Sequence, residues 1–285
     1  MLEMLISPRK AERRPIELFF VGIFYASLSM LLVNWIFSQD AVLSKYSSIL
    51  VITFTVMFSM PFVYYTIRLE ERKISPERSL FSLIKEHEKA IYAFMWLFLG
   101  FVLAFSVFSV VSSNQSFEAQ IETYCSINRP STINECVSQY GAVEPTKSAG
   151  SASSSGKRLF SIFSNNIYVL IFSLIFSLIF GAGVIFILAW NASVIAAAVG
   201  IFAKSEISSI PMGMLRYMVH GIPEIASYFT IALAGGIISS AVIKHQLGTE
   251  RFWGVLQDTI NLIILSVVIL AIAALLEVYV TPALF

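Results

Sequence analysis

The sequence predicts an all-α polytopic membrane protein of six transmembrane helices plus a re-entrant half-helix, and three observations carry that prediction. Hydrophobic residues fill 57% of the 285 positions and charged residues only 13%, about half the charged share of a soluble domain. The mean hydropathy is +0.78. Apolar runs of roughly 20 residues recur along the chain, the length a helix needs to cross a bilayer while pairing its own backbone groups. Twenty-four phenylalanines against 19 basic and 18 acidic side chains leave too little polar surface for a soluble fold. A net charge of +1 and two cysteines exclude a basic nucleic-acid binder and a disulfide-dense secreted scaffold. No cofactor is expected.

The spans read in order as Ile16–Ser38, Tyr46–Leu69, Ile91–Ser113, Ile167–Ala189, Ile222–Ile243 and Ile260–Thr281. The first exceeds the h-region of a cleavable signal and no small-residue cleavage site follows it, so it is expected to stay as an anchor. Arg9, Lys10, Arg13 and Arg14 precede it, and Arg68, Arg72, Lys73, Arg78, Lys85 and Lys89 crowd the second connection, whereas Lys45 stands alone in the first. Basic residues stay in the cytoplasm. With six spans, both termini are expected there. The chain then divides into a three-helix membrane region at 1–113, an extracytoplasmic loop at 114–164 and a second membrane domain at 165–285.

Within the second connection, Ser75-Pro76-Glu77 supplies an N-cap, a proline at the first helical position and an acid in the first turn. A short helix carrying Leu80, Phe81, Leu83 and Ile84 should follow, lying in the membrane interface or packed as a solvated elbow. In the outer loop Cys125 and Cys136 are expected to form one disulfide, with two free thiols the alternative. The stretch Ser148–Gly156 reads as a flexible linker. Asn114-Gln115-Ser116 matches a glycosylation sequon but lies hard against a span, which makes it a poor acceptor.

The C-terminal half carries more signal. From Asn165 to Phe202 the chain is apolar almost throughout, too long for one span and too short for two, and Trp190-Asn191-Ala192-Ser193 interrupts it. A re-entrant half-helix at Ala192–Ile210 would fit that length. Small residues at helical spacing, Ser173/Ser177/Gly181 and Ala232/Gly236/Ser240, with Gly183, Gly235 and Ala271, predict close helix packing. His220-Gly221-Ile222-Pro223-Glu224 opens the fifth span, with His220 and Glu224 on one face, and Pro223 there requires a helix only just starting. Glu277 sits one turn inside the last span, which Thr281-Pro282 should stop. A re-entrant segment would gather Asn191, His220, Glu224 and Glu277 at the cytoplasmic face; a complete crossing would leave Asn191 on the opposite one.

Such a cluster is either a hydrogen-bonded structural core or a proton- or cation-responsive polar pathway. Catalysis is the weakest reading. There is no zinc motif, serine-nucleophile elbow or phosphate-binding loop, and His87, His220 and His245 are too scattered for a metal centre.

The order of these residues resembles the stage II sporulation protein M family. Asn191 after a glycine-bearing helix, His220-Gly221-Ile222-Pro223-Glu224, and Ala273-Ala274-Leu275-Leu276-Glu277 running to Thr281-Pro282 carry the likeness, over about residues 165–285. The family usually has glycine where this chain has Ala192. No motif matches in the first three spans, which read as an addition to the family's domain. The resemblance implies a prokaryotic membrane protein whose namesake works beside cell-wall-degrading partners in engulfment. It nominates Asn191, His220, Gly221, Glu224 and Glu277 as the site positions. The expected function is non-enzymatic: organising or anchoring envelope proteins from within the lipid bilayer, with homo-oligomers open. The alternative is a channel, transporter or lipid-moving protein that uses the polar site.

Overall fold

A computed structural model describes residues 5, 7–37, 39–40, 42–72, 80–111, 114–128, 133–142, 155–180, 183–203, 206–243 and 249–284. All regular structure among them is helical: α1 (Pro8–Arg13), α2 (Glu17–Phe37), α3 (Ser47–Arg72), α4 (Leu80–Val111), α5 (Glu118–Asn128), α6 (Ile133–Ala142), α7 (Ser155–Phe180), α8 (Val184–Ala203), α9 (Ile210–Ile243), α10 (Glu250–Leu275) and α11 (Thr281–Leu284), with a π-helical turn at Leu276–Val280. Among the described residues seven stretches are long and apolar enough to cross a membrane. The protein is a polytopic all-α membrane protein.

Seven replaces the expected six because the fourth span was placed across a break. α7 ends at Phe180, Gly183 lies in a turn and α8 starts at Val184. The spans are Leu159–Ile179 and Ile185–Ala203. Ser161, Ser164, Asn165 and Asn166 lie inside the first of them, and their polarity masked its true beginning. No break occurs at Trp190–Ser193. Residues Ala192–Ala203, expected to form a separate half-helix, are the last turns of a continuous α8.

Two further boundaries move. α4 begins at Leu80 and runs without interruption into the third span, so the expected connecting helix is that span's own extension; Ser75-Pro76-Glu77 lies outside the described residues. α9 begins at Ile210, and Pro223 sits in its interior where a start was expected. Most of the Ser148–Gly156 linker also lies outside the described residues, but Ser155 and Gly156 already belong to α7.

Membrane helices must satisfy polar side chains locally. Ser29 donates to the Tyr25 carbonyl, Thr55 to Val51, Thr66 to Phe62 and Ser173 to Val169. At α2 the Glu17 carboxylate accepts from Lys10 at 3.0 Å and Arg14 at 3.3 Å, placing an anion at a helix N-terminus. At α10 the Thr249 hydroxyl caps the Phe252 N–H at 3.2 Å.

α9 is the central helix, packed on α3, α4, α7, α8 and α10. α2 lies against α4, backbone to backbone at Gly22 and Gly100. Gly235 meets the Leu174 carbonyl on α7, and Ser177 of α7 donates to the Ala232 carbonyl. The small-residue stripes therefore pack α7 onto α9; Gly181 itself lies outside the described residues. α5 and α6 form a hairpin closed by a Cys125–Cys136 disulfide, with Cα atoms 5.7 Å apart, and α5 packs on the end of the bundle against α8 and α3. Ser116, in the expected sequon, is 6% exposed and donates to Asn34.

Candidate functional site

α9 and α10 run antiparallel and meet through polar side chains. Tyr228, one turn after Glu224, donates its hydroxyl to Glu224 Oε1 at 2.9 Å. Glu277, in the π turn that follows α10, lies close enough for the two carboxyl groups to interact electrostatically, and like charges so placed repel each other. One turn further along, His220 Nδ1 lies 3.1 Å from Thr281 Oγ1. The Thr281 hydroxyl itself donates to the Leu276 carbonyl at 3.2 Å. A hydroxyl has one proton to give, so Nδ1 of His220 is the donor in that contact.

The backbone around these groups is irregular in both helices at one level. Pro223 has no N–H to return to the Val219 carbonyl, and it stands directly before Glu224. Opposite, Leu276–Val280 forms a π turn that carries Glu277. Its cause is local: Pro282 cannot donate and its ring crowds the preceding turn, while the Thr281 side chain takes the carbonyl of Leu276. The expected stop at Thr281-Pro282 is thus a widened turn followed by the short α11. π turns of this kind recur at functional positions.

Depth follows from packing. Phe94 of α4 stacks on Phe229 of α9 at 5.1 Å, while Ser109 at the end of α4 bonds to Ala196 of α8 and Gly213 at the start of α9 touches Val199 and Phe202. α9 therefore starts at the face where α4 ends. Glu224 lies five residues before Phe229, about 7.5 Å nearer that face at 1.5 Å per residue. That is the level of Leu99, the middle of the His87–Val111 span. The two glutamates sit at mid-depth rather than at the cytoplasmic face.

Asn191 was expected to join them, or to lie on the opposite face. It lies at a similar depth, on α8, and its amide donates to the Ile187 carbonyl of its own helix at 2.8 Å. No hydrogen bond among the described residues ties it to the α9–α10 groups. Gly221 is buried in α9, but a Cβ there would meet only Met218 Cε at 3.6 Å, so close packing does not require it. The structure thus brings together His220, Glu224 and Glu277, each only partly buried, and adds Tyr228 and Thr281. Tyr228 was missed although its i,i+4 spacing from Glu224 announced it.

A second polar pair was missed. His87 Nδ1 and Glu70 Oε2 lie 2.7 Å apart, both wholly buried, where α3 ends and α4 begins. Among the described residues no group of three or more His, Cys, Asp or Glu side chains could hold a metal ion.

A family model described as "Stage II sporulation protein M" matches residues 18–282, so the first three spans, which carried no recognisable motif, belong to the family region too. An uncharacterized protein of Methanocaldococcus jannaschii is 28% identical over 130 residues, covering 43% of this chain and 70% of the relative. No solved structure matches. The chain belongs to the stage II sporulation protein M family.

Proposed function

We propose that this is a non-enzymatic integral membrane protein that gathers envelope partners, and that the α9–α10 face is where a partner's transmembrane helix, or a second copy of the chain, docks. One observation carries the reading: His220, Glu224 and Glu277 are only partly buried at mid-depth, ringed by exposed Ile222, Leu275 and Tyr279. A carboxyl group facing hydrocarbon is costly, and such residues are ordinarily turned toward protein or water. An added helix would cover the apolar ring and the partly exposed polar residues within it.

The basic residues before α2 and around α3–α4 orient the N-terminal face to the cytoplasm. On that orientation seven crossings would carry the disulfide hairpin α5–α6 and the end of α10 to the outside, where six crossings would have kept both termini in the cytoplasm. The hairpin would be available to partners beyond the membrane, in a compartment where a disulfide persists.

The test is a photo-crosslinking residue placed at Ile222 or Tyr279 in living cells. A discrete adduct there, weakened by Glu224→Gln with Glu277→Gln, supports the proposal, and its mass separates a second copy from another protein. If these positions capture only lipid while the variants remain folded, docking is refuted. A second reading, passage of a proton, ion or lipid, is favoured by the coincidence of Pro223 and the π turn at one depth, since broken helices mark transport sites. Flux into vesicles that is abolished by the same folded variants would establish it.

A further inference from the structure

We propose that a cleft between the C-terminal ends of α3 and α9 binds the phosphate of an anionic phospholipid. The cleft is lined by Tyr64, Ile67 and Arg68 from α3 and by Gly236, Ser239 and Ser240 from α9. It is remote from the α9–α10 site and independent of that reading.

Three features of the cleft select the ligand. Arg68 stands two residues before the end of the Leu43–Glu70 span, the depth of a headgroup, and its guanidinium lies over the Tyr64 ring at 4.9 Å. That stacking fixes the cation, and among the described residues no carboxylate pairs with it. Arginine's planar donors match phosphate oxygens. Ser240 supplies the second feature: the residue is 7% exposed and lines the cleft, and its hydroxyl is buried without a hydrogen-bond partner. A buried hydroxyl without a partner is costly, and an acceptor entering the cleft would satisfy it. Gly236, one turn earlier, also lines the cleft.

The third feature separates a lipid from a small anion. Met57, Met60 and Tyr64 are exposed on α3 and share a face with Arg68 at helical spacing, giving acyl chains a track that ends at the guanidinium. The enclosed space is about 30 Å³, enough for one phosphoryl oxygen to reach Ser240 but not for a sugar. The phosphate therefore sits at the mouth, with the rest of the headgroup in water. Lys85 and Lys89, exposed at the start of α4, strengthen the attraction of anionic lipid to this face.

The test is native mass spectrometry of the full-length protein, with phosphatidylglycerol and phosphatidylcholine as competing probes and inorganic phosphate as a separate arm. Retention of phosphatidylglycerol over phosphatidylcholine is expected, falling roughly tenfold in Arg68→Gln, the loss of one charge-assisted contact, and by a smaller factor in Ser240→Ala. Lipid-free Ser240→Ala should unfold no earlier than the parent, because its hydroxyl had no partner, so weakened binding cannot be ascribed to misfolding. Equal retention of the two lipids, or unchanged binding in both variants, overturns the proposal. Displacement by millimolar phosphate would also overturn it, by assigning the cleft to a free anion.

Discussion

Replacing Gly100 with alanine should wedge α2 away from α4. A Cβ at Gly100 would lie 2.9 Å from the Ile23 nitrogen and 3.0 Å from the Gly22 Cα, with the Phe19 carbonyl oxygen closer still; from the other side, a Cβ at Gly22 would lie 3.1 Å from the Gly100 Cα. Every one of these neighbours is backbone, which cannot rotate aside. Restoring ordinary contact requires the helices to part by about 0.5–1 Å, which forfeits a quarter to a half of the dispersion energy along the seam. The Phe19–Trp96 edge contact, 6.1 Å between centroids, belongs to that seam. Overpacking of this kind costs about 1–3 kcal/mol, or a fall of roughly 2–12 °C in Tm at this chain length. Gly221→Ala is the internal control. Its Cβ would meet only Met218 Cε at 3.6 Å, and alanine favours an interior helix over glycine by up to about 1 kcal/mol, so its Tm should hold or rise. Thermal unfolding in detergent, followed by circular dichroism, measures both. An unchanged Gly100→Ala would refute the backbone seam, and a Gly221→Ala as damaging as Gly100→Ala would refute the steric reasoning.

Three other substitutions or perturbations probe the remaining polar groups. Glu70→Leu removes the partner of a wholly buried histidine and should cost about 3–5 kcal/mol; denaturant unfolding of Glu70→Leu, His87→Leu and the double variant should show the double costing less than the sum. Reduction of Cys125–Cys136, which closes a short loop, should loosen α5–α6 by about 2–3 kcal/mol and raise proteolysis between Glu118 and Ala142 while leaving the bundle intact. Backbone N–H groups of Leu43 and Val42 donate to Asp40 and hold its carboxyl below the usual carboxylate range. A lowered value means the turn is supported at neutral pH and released only as acid protonates Asp40, so exchange of those two amides should accelerate at low pH in the parent and be fast throughout in Asp40→Ala.

The class of the fold was legible because span length is a property of the bilayer, and Leu, Ile, Phe and Val at that length admit few other structures. Span boundaries were less so. Asn165 and Asn166 are tolerated within α7, and a polar pair read as an edge displaced the fourth span across the break at Gly183. Pro223 is a similar case: proline ordinarily marks a helix start, whereas α9 carries it internally with neighbouring helices packed around it. His220, Glu224 and Glu277 could be gathered from helical spacing and family likeness. The π turn could not, since it arises from Pro282 and the Thr281 hydroxyl acting together on a carbonyl five residues back. Nor could Glu70–His87, whose members flank a connection and meet only because α3 and α4 pair.

The two histidine–glutamate sets separate structural polarity from functional polarity by a physical criterion rather than by residue type. Glu70 and His87 are wholly buried and bonded to each other; a mutual contact at the end of two packed helices asks for no outside group at that bond. His220 and Glu224 share one helix face yet turn to different partners, Thr281 and Tyr228, and both stay partly uncovered beside Glu277. If the second set were simply a stabilising core, covering these residues fully would have been cheaper than leaving them partly exposed at mid-depth. The arrangement is explained if something completes it from outside the chain, a helix or a passing solute, and the crosslink at Ile222 or Tyr279 distinguishes the two because only a helix leaves a protein adduct.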